Sequence, residues 1–214
     1  MIPVVFDLDG TLIDSLPNIT DAANALLTGE GLPPLKAETV RTFVGLGEQV
    51  FMDRLIAATD LASNDRARLM PIFIAAYNRA AEDTRLFDGA RAMLDELRNA
   101  GHPLGLCTNK PGEPLRHTLA AANLDTTFDI VVAGDTLPNH KPDPAPLRHI
   151  LAELGATTCI YVGDSETDAE TAARAGVPFI LYTEGIRVSP VEDIPHAATF
   201  NDFRALPGLI TGLI

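Results

Sequence analysis

The chain has 214 residues, enough for one substantial core or for a core with a small accessory domain. Its composition, 46% hydrophobic and 21% charged, is that of an ordinary soluble globular protein. The net charge of −13 argues against nucleic acid as a partner, because displacing counterions from phosphates needs a basic face.

A first strand is expected at 2–6, apolar and β-branched apart from Pro3. The chain reaches it without the basic region and cleavage site of a signal peptide. No apolar run is long enough to span a bilayer, so the expected location is the cytoplasm, with no membrane partner. From Ser15 to Asp83 no segment reads as a strand; helical patterns run through 19–27, 37–43, 48–58 and 65–81. This all-helical stretch predicts a cap domain at 15–83, inserted into a catalytic core made of 1–14 and 84–214. The alternative is that the same helices pack directly on one sheet. Beyond it, strands at 104–107, 128–132, 159–162 and 179–182 alternate with helices at 90–99, 113–122, 146–154 and 167–175. Apolar strands interleaved with helices predict an α/β fold with a parallel sheet covered on both faces. Gly101, Gly155 and Gly176 stand where left-handed helix caps are wanted. Cys107 and Cys159 each lie in an apolar run and read as free buried thiols.

Polar residues gather just after the expected strands. Asp7-Leu8-Asp9-Gly10-Thr11 follows the first, Thr108-Asn109 the second, Lys141 the third, and Gly163-Asp164 with Asp168 the fourth. The carboxyl ends of parallel strands share one edge, where ligands bind, so these groups are expected to meet. Asp7 suits a nucleophile that forms an acyl phosphate. Asp9, one residue removed, can protonate the leaving oxygen and later take a proton from water. Gly10 leaves backbone amides open to phosphate oxygens, while Thr108 and Asn109 can hydrogen-bond them.

Several carboxylates facing a phosphate would repel it, and a hard cation such as Mg²⁺ resolves that conflict. Its expected protein ligands are Asp7, Asp164 and the backbone carbonyl of Asp9. Asp168 orders either a metal-bound water or Lys141. Of the three lysines in the chain, Lys36, Lys110 and Lys141, the last is expected to neutralise phosphate and Asp7. Lys110 reads as a surface or rim residue.

Taken in order, Phe6-Asp7-Leu8-Asp9-Gly10-Thr11-Leu12, Thr108, Lys141-Pro142 and Gly163-Asp164-Ser165-Glu166-Thr167-Asp168 resemble the four motifs of the haloacid dehalogenase superfamily. The resemblance covers nearly the whole chain. It implies a Rossmann-like core, a cap inserted just after the first motif, and phosphatase chemistry through an aspartyl phosphate. Asp9 separates the chain from the dehalogenase and phosphonate-cleaving branches, which lack an acid there; the latter also needs a cap lysine, and only Lys36 is available. Within the superfamily, Thr42-Phe43-Val44-Gly45-Leu46-Gly47 and Cys107-Thr108-Asn109-Lys110-Pro111 are similar to bacterial phosphoglycolate phosphatases. So is the stretch from Gly134-Asp135 to Pro144. Phe43 departs from the tryptophan common there, as does 182–186 from the usual tyrosine-glycine run. The resemblance implies a small phosphorylated acid as substrate, 2-phosphoglycolate, whose carboxylate suits a cap arginine, Arg54 or Arg41. Alternatives are a sugar phosphate, a nucleotide, a broad range of phosphoesters, or a phosphate-binding protein with an idle site. The protein is expected to act as a monomer or homodimer.

Overall fold

Val4, Val5 and Phe6 carry no polar side-chain atom, and all three are buried in the central strand β1 (Val4–Phe6). In the computed structural model, which describes residues 1–62 and 64–213, β1 lies between β2 (Leu104–Cys107) and β4 (Ile160–Gly163). β3 (Ile130–Val132) pairs with the outer side of β2. β5 (Phe179–Tyr182) and then β6 (Ala198–Phe200) extend the sheet beyond β4. The order is β3-β2-β1-β4-β5-β6, and every pairing is parallel. This is the doubly wound arrangement, in which the chain reverses its direction of build between β1 and β4. Loops leaving those two strands diverge to opposite faces and leave a crevice at their carboxyl ends.

Alternation along the strands feeds two cores. Val4, Phe6, Leu104, Leu106, Ile160 and Val162 face α5 (Ala90–Asn99), α6 (Gly112–Ala121) and α9 (Leu206–Leu213). Val5, Cys107, Tyr161, Phe179 and Leu181 face α7 (Ala145–Glu153) and α8 (Glu166–Ala175) on the other side. The expected helices of this region match to within one residue at each end. β6 and α9 were not anticipated; three residues of strand give too short an alternation to read. The predicted capping glycines Gly101, Gly155 and Gly176 all have positive φ.

Between β1 and α5 lie α1 (Leu16–Gly29), α2 (Ala37–Arg41), α3 (Glu48–Ala57) and α4 (Arg66–Ala80). On α1 the buried residues Ile19, Ala22, Ala23, Leu26 and Leu27 recur at helical spacing, forming one face against α4. These helices share their own hydrophobic cluster, distinct from both sheet cores, so they do not serve as extra cover for the sheet. Phe51 stacks on Phe73 at 4.8 Å between ring centroids, and Phe73 on Tyr77 at 6.0 Å. The two connections run side by side: Asp14 N–H donates to the Arg85 carbonyl, Phe87 N–H to that of Leu12, and Ile13 bridges Leu86 in antiparallel fashion. Among the described residues no helix is long and apolar enough to cross a membrane.

Cys107 and Cys159 are free and buried, as expected. Burial pushes both thiols from 9.0 up to about 12. Between those values the unfolded chain loses thiol protons that the folded chain keeps, so stability falls as pH rises through that window and is intact below it. At pH 10.5 the Cys159 share is about 2 kcal/mol. Urea midpoints should therefore fall less between pH 8 and 10.5 in Cys159→Ala than in the wild-type protein; equal falls would refute the assignment.

Candidate active site

Asp7 and Asp164 are the first residues beyond β1 and β4, so the adjacency of those strands brings their carboxylates together at the crevice. Asp7 N–H continues the ladder by donating to the Val162 carbonyl at 2.9 Å. Asp168 joins them from the first turn of α8, and the three buried carboxylates offer oxygens within 4.8 Å of one another. Gly10 closes the turn beneath them. Its φ is +82°, and a Cβ there would stand 2.4 Å from Asp164 Oδ2, so no side chain fits.

Lys141 supplies the positive charge. Its Nζ lies 2.8 Å from Asp7 Oδ1, 2.7 Å from Asp168 Oδ1 and 3.1 Å from the Tyr161 hydroxyl, which matches the three donors of an ammonium. Burial opposes the charge on Lys141, but Asp168 and Asp7 outweigh it and raise its pKa. Asp168 is buried too, yet Lys141 overcomes that cost and lowers its pKa. Both Asp168 oxygens are occupied: Oδ1 accepts from Lys141 and Tyr161, Oδ2 from Ser165 Oγ and the N–H groups of Asp164 and Ser165. Asp168 therefore holds Lys141 in place.

Asp7 and Asp164 are less well compensated. Burial raises Asp7 to about 7 against the pull of Lys141. Asp164 rises well above the carboxylate range through burial, then through the charges of Asp168 and Asp7. Its oxygens each accept one hydrogen bond, from Thr11 Oγ1 and from Ile186 N–H, both at 2.6 Å, which leaves lone pairs free. One ammonium does not keep three buried carboxylates ionised, and the raised pKa values of Asp7 and Asp164 follow from that shortfall. Their open oxygens fit a hard divalent cation held by Asp7 and Asp164, whose binding would release the protons.

The remaining residues divide between those that reach the crevice and those that do not. Thr108 lies at the end of β2, and its Oγ1 accepts from Lys110 N–H at 3.1 Å, leaving the hydroxyl proton to donate. Asn109 has no amide to spare: Nδ2 donates to the carbonyls of Gly45 and Lys141, and Oδ1 accepts from Lys141 N–H. It braces the Lys141 loop and ties it to the helical insert. Arg54 donates to the Thr42 carbonyl and does not line the cavity; Arg41 donates to the Gly185 carbonyl. Lys110, expected at the surface or the rim, is found inside the cavity wall. It is buried, with Nζ 2.8 Å from Asp9 Oδ1 and in contact with the Tyr77 hydroxyl from α4. Burial opposes its charge, and Asp9 and Tyr77 raise its pKa nonetheless.

Tyr77 and Tyr161 escaped the sequence reading. A hydroxyl in an otherwise apolar buried strand was the available signal for Tyr161, whereas Tyr77 looks like any core residue of α4. A cavity of about 90 Å³ lies between insert and sheet edge, lined by Asp7, Asp9, Thr108, Lys110, Lys141 and Asp164 among others. Glu48 also lines it, and burial followed by the charges of Asp135 and Glu113 raises its pKa.

Residues 4–182 match the family of haloacid dehalogenase-like hydrolases. A phosphoglycolate phosphatase of Cereibacter sphaeroides is 43% identical over 214 residues, covering 99% of this chain and 98% of its own. One from Rhodobacter capsulatus is 39% identical, covering 98% and 96%. The crystal structure of a predicted phosphoglycolate phosphatase from Haemophilus somnus superposes with a TM-score of 0.92 at 28% identity, covering 98% of this chain and 97% of that one.

Thr11→Val removes one of the two donors on Asp164 while keeping side-chain volume. Calorimetric titration should show Mg²⁺ binding weakened about tenfold or more. Unchanged affinity would mean that Asp164 does not need Thr11 to present its oxygens.

Proposed function

The chain belongs to the haloacid dehalogenase-like hydrolases, and we propose that it hydrolyses 2-phosphoglycolate, passing the phosphoryl group to Asp7 and then to water. The observation that carries the reading is the buried Asp7 carboxylate, 2.8 Å from Lys141 and beside Asp164, at the floor of the cavity between insert and sheet edge. Full-length relatives named for this activity supply the substrate. On this reading the enzyme is cytoplasmic and acts on a freely diffusing substrate.

Asp7 attacks phosphorus, and the bond to the glycolate oxygen breaks as the acyl phosphate forms. Asp9 gives its proton to the departing oxygen, so that glycolate leaves with a neutral hydroxyl. Water then attacks phosphorus and yields a proton to Asp9, which releases phosphate and restores the Asp7 carboxylate. Lys141 holds Asp7 in line, and the Thr108 hydroxyl donates to a phosphate oxygen. Both are preorganised charges or dipoles that need not reorient during transfer. Mg²⁺, held by Asp7, Asp164 and the Asp9 carbonyl, would offset the charge shared by phosphate and carboxylates. The insert over the crevice keeps bulk water from the acyl phosphate.

The apolar insert wall, with Ile19, Val44, Phe51, Phe73 and Ile74, favours as a second reading a less polar small phosphoester. A phosphoester panel separates the two: 2-phosphoglycolate should give the highest kcat/KM, and chelation of divalent cations should abolish turnover. Asp7→Asn should lower kcat by a factor on the order of 10³ or more with the fold intact. Full turnover in that variant would end the covalent proposal.

A further inference from the structure

Resting on the phosphatase reading above, we propose that Lys110 is the group that grips the substrate's carboxylate and so selects phosphorylated hydroxy acids over plain phosphate esters. Among the described residues, Lys110 and Lys141 are the only cationic side chains lining the cavity. Lys141 is committed: its three donors face Asp7, Asp168 and Tyr161. Lys110 is not. It meets Asp9 Oδ1 at 2.8 Å and the Tyr77 hydroxyl, and an ammonium has a third N–H to give.

The chemistry of the substrate places its second charge beside that third donor. In 2-phosphoglycolate a single methylene separates the leaving oxygen from the carboxylate carbon. Asp9 serves the leaving oxygen, so the carboxylate must settle next to Asp9, where its charge needs a cationic partner out of water. Lys110 is the cation already in contact with Asp9. The wall contributed by the insert offers no cation: beside Glu48 and Tyr77 it presents mainly apolar groups, among them Ile19, Val44, Phe51, Phe73 and Ile74. In such poorly solvated surroundings a charge pair counts for far more than at a surface. Neither arginine expected for this role lines the cavity: Arg41 reaches to the Gly185 carbonyl and Arg54 to that of Thr42.

Tyr77 acts as a positioning residue. Its hydroxyl accepts from Lys110, and its ring is held by the stack through Phe73 to Phe51. Selection of the acid thereby depends on a helix of the insert, although the recognising cation belongs to the sheet edge.

The test compares kcat/KM for 2-phosphoglycolate with that for ethyl phosphate, which has similar length and no carboxylate, using the full chain with Mg²⁺. Lys110→Met should slow both, because Lys110 also touches Asp9. The ratio between the two substrates should fall on the order of 10- to 100-fold, the worth of a charge-assisted hydrogen bond, with KM for 2-phosphoglycolate rising most. An unchanged ratio in the folded variant overturns the role of Lys110. A wild-type protein that shows no preference between the substrates overturns the substrate reading itself. Where circular dichroism shows K110M unfolded, Tyr77→Phe carries the test: its ratio should drop severalfold, and an unaltered ratio rejects the proposal.

Discussion

The placing of Asp7 and Asp164 on neighbouring parallel strands forces like charges together in a buried crevice, and most of the surrounding structure answers that conflict. The positions are not negotiable, because β1 and β4 pair from Val4 opposite Ile160 to Phe6 opposite Val162, and each acid follows its strand at once. Burying unpaired carboxylates is among the costliest things a fold can do. Lys141 offsets part of it, Asp168 and Tyr161 fix Lys141, and the capping box of Ser165 with Asp168 fixes Asp168 at the start of α8. Thr11 and the Ile186 amide satisfy Asp164. What remains uncompensated suits a divalent cation.

The opposite side of the cavity follows another rule. The insert brings an apolar wall and very few polar groups, which limits its contribution to shape, water exclusion and a few ties to the sheet edge. Those ties are specific: Gly45 to Asn109, Arg41 to Gly185, and Tyr77 to the Lys110–Asp9 pair. Each joins a residue of the insert to a loop at the carboxyl end of the sheet, so the position of the helices and the condition of the catalytic loops are linked.

Much of this was legible in the order of residues, for reasons that differ by element. The sheet could be read because β1, β2, β4 and β5 are short unbroken apolar runs, each buried on both faces. The acids could be read because they stand immediately after such runs, where chain direction alone decides their place. Contacts made across the cavity could not be read that way. Lys110 seemed a surface lysine because its partners, Asp9 and Tyr77, are 101 and 33 residues distant in sequence. Arg54 seemed a ligand because it is charged and in the insert, yet the rotation of α3 turns it toward Thr42. Asn109 stands next to Thr108 but faces the Lys141 backbone, a choice set by a loop that folds back from beyond β3.

The chain leaves the sheet at Ile13 and returns beside it at Leu86, with the two passing segments hydrogen-bonded to each other. Such a junction is indifferent to what hangs from it. Closure entropy grows only logarithmically with length, each doubling costing about 0.6 kcal/mol, so a longer, shorter or unrelated appendage could be spliced in there with little penalty to the body of the protein. An exchange at that point leaves Asp7 and Asp164 where β1 and β4 put them and changes the groups that face them across the cavity.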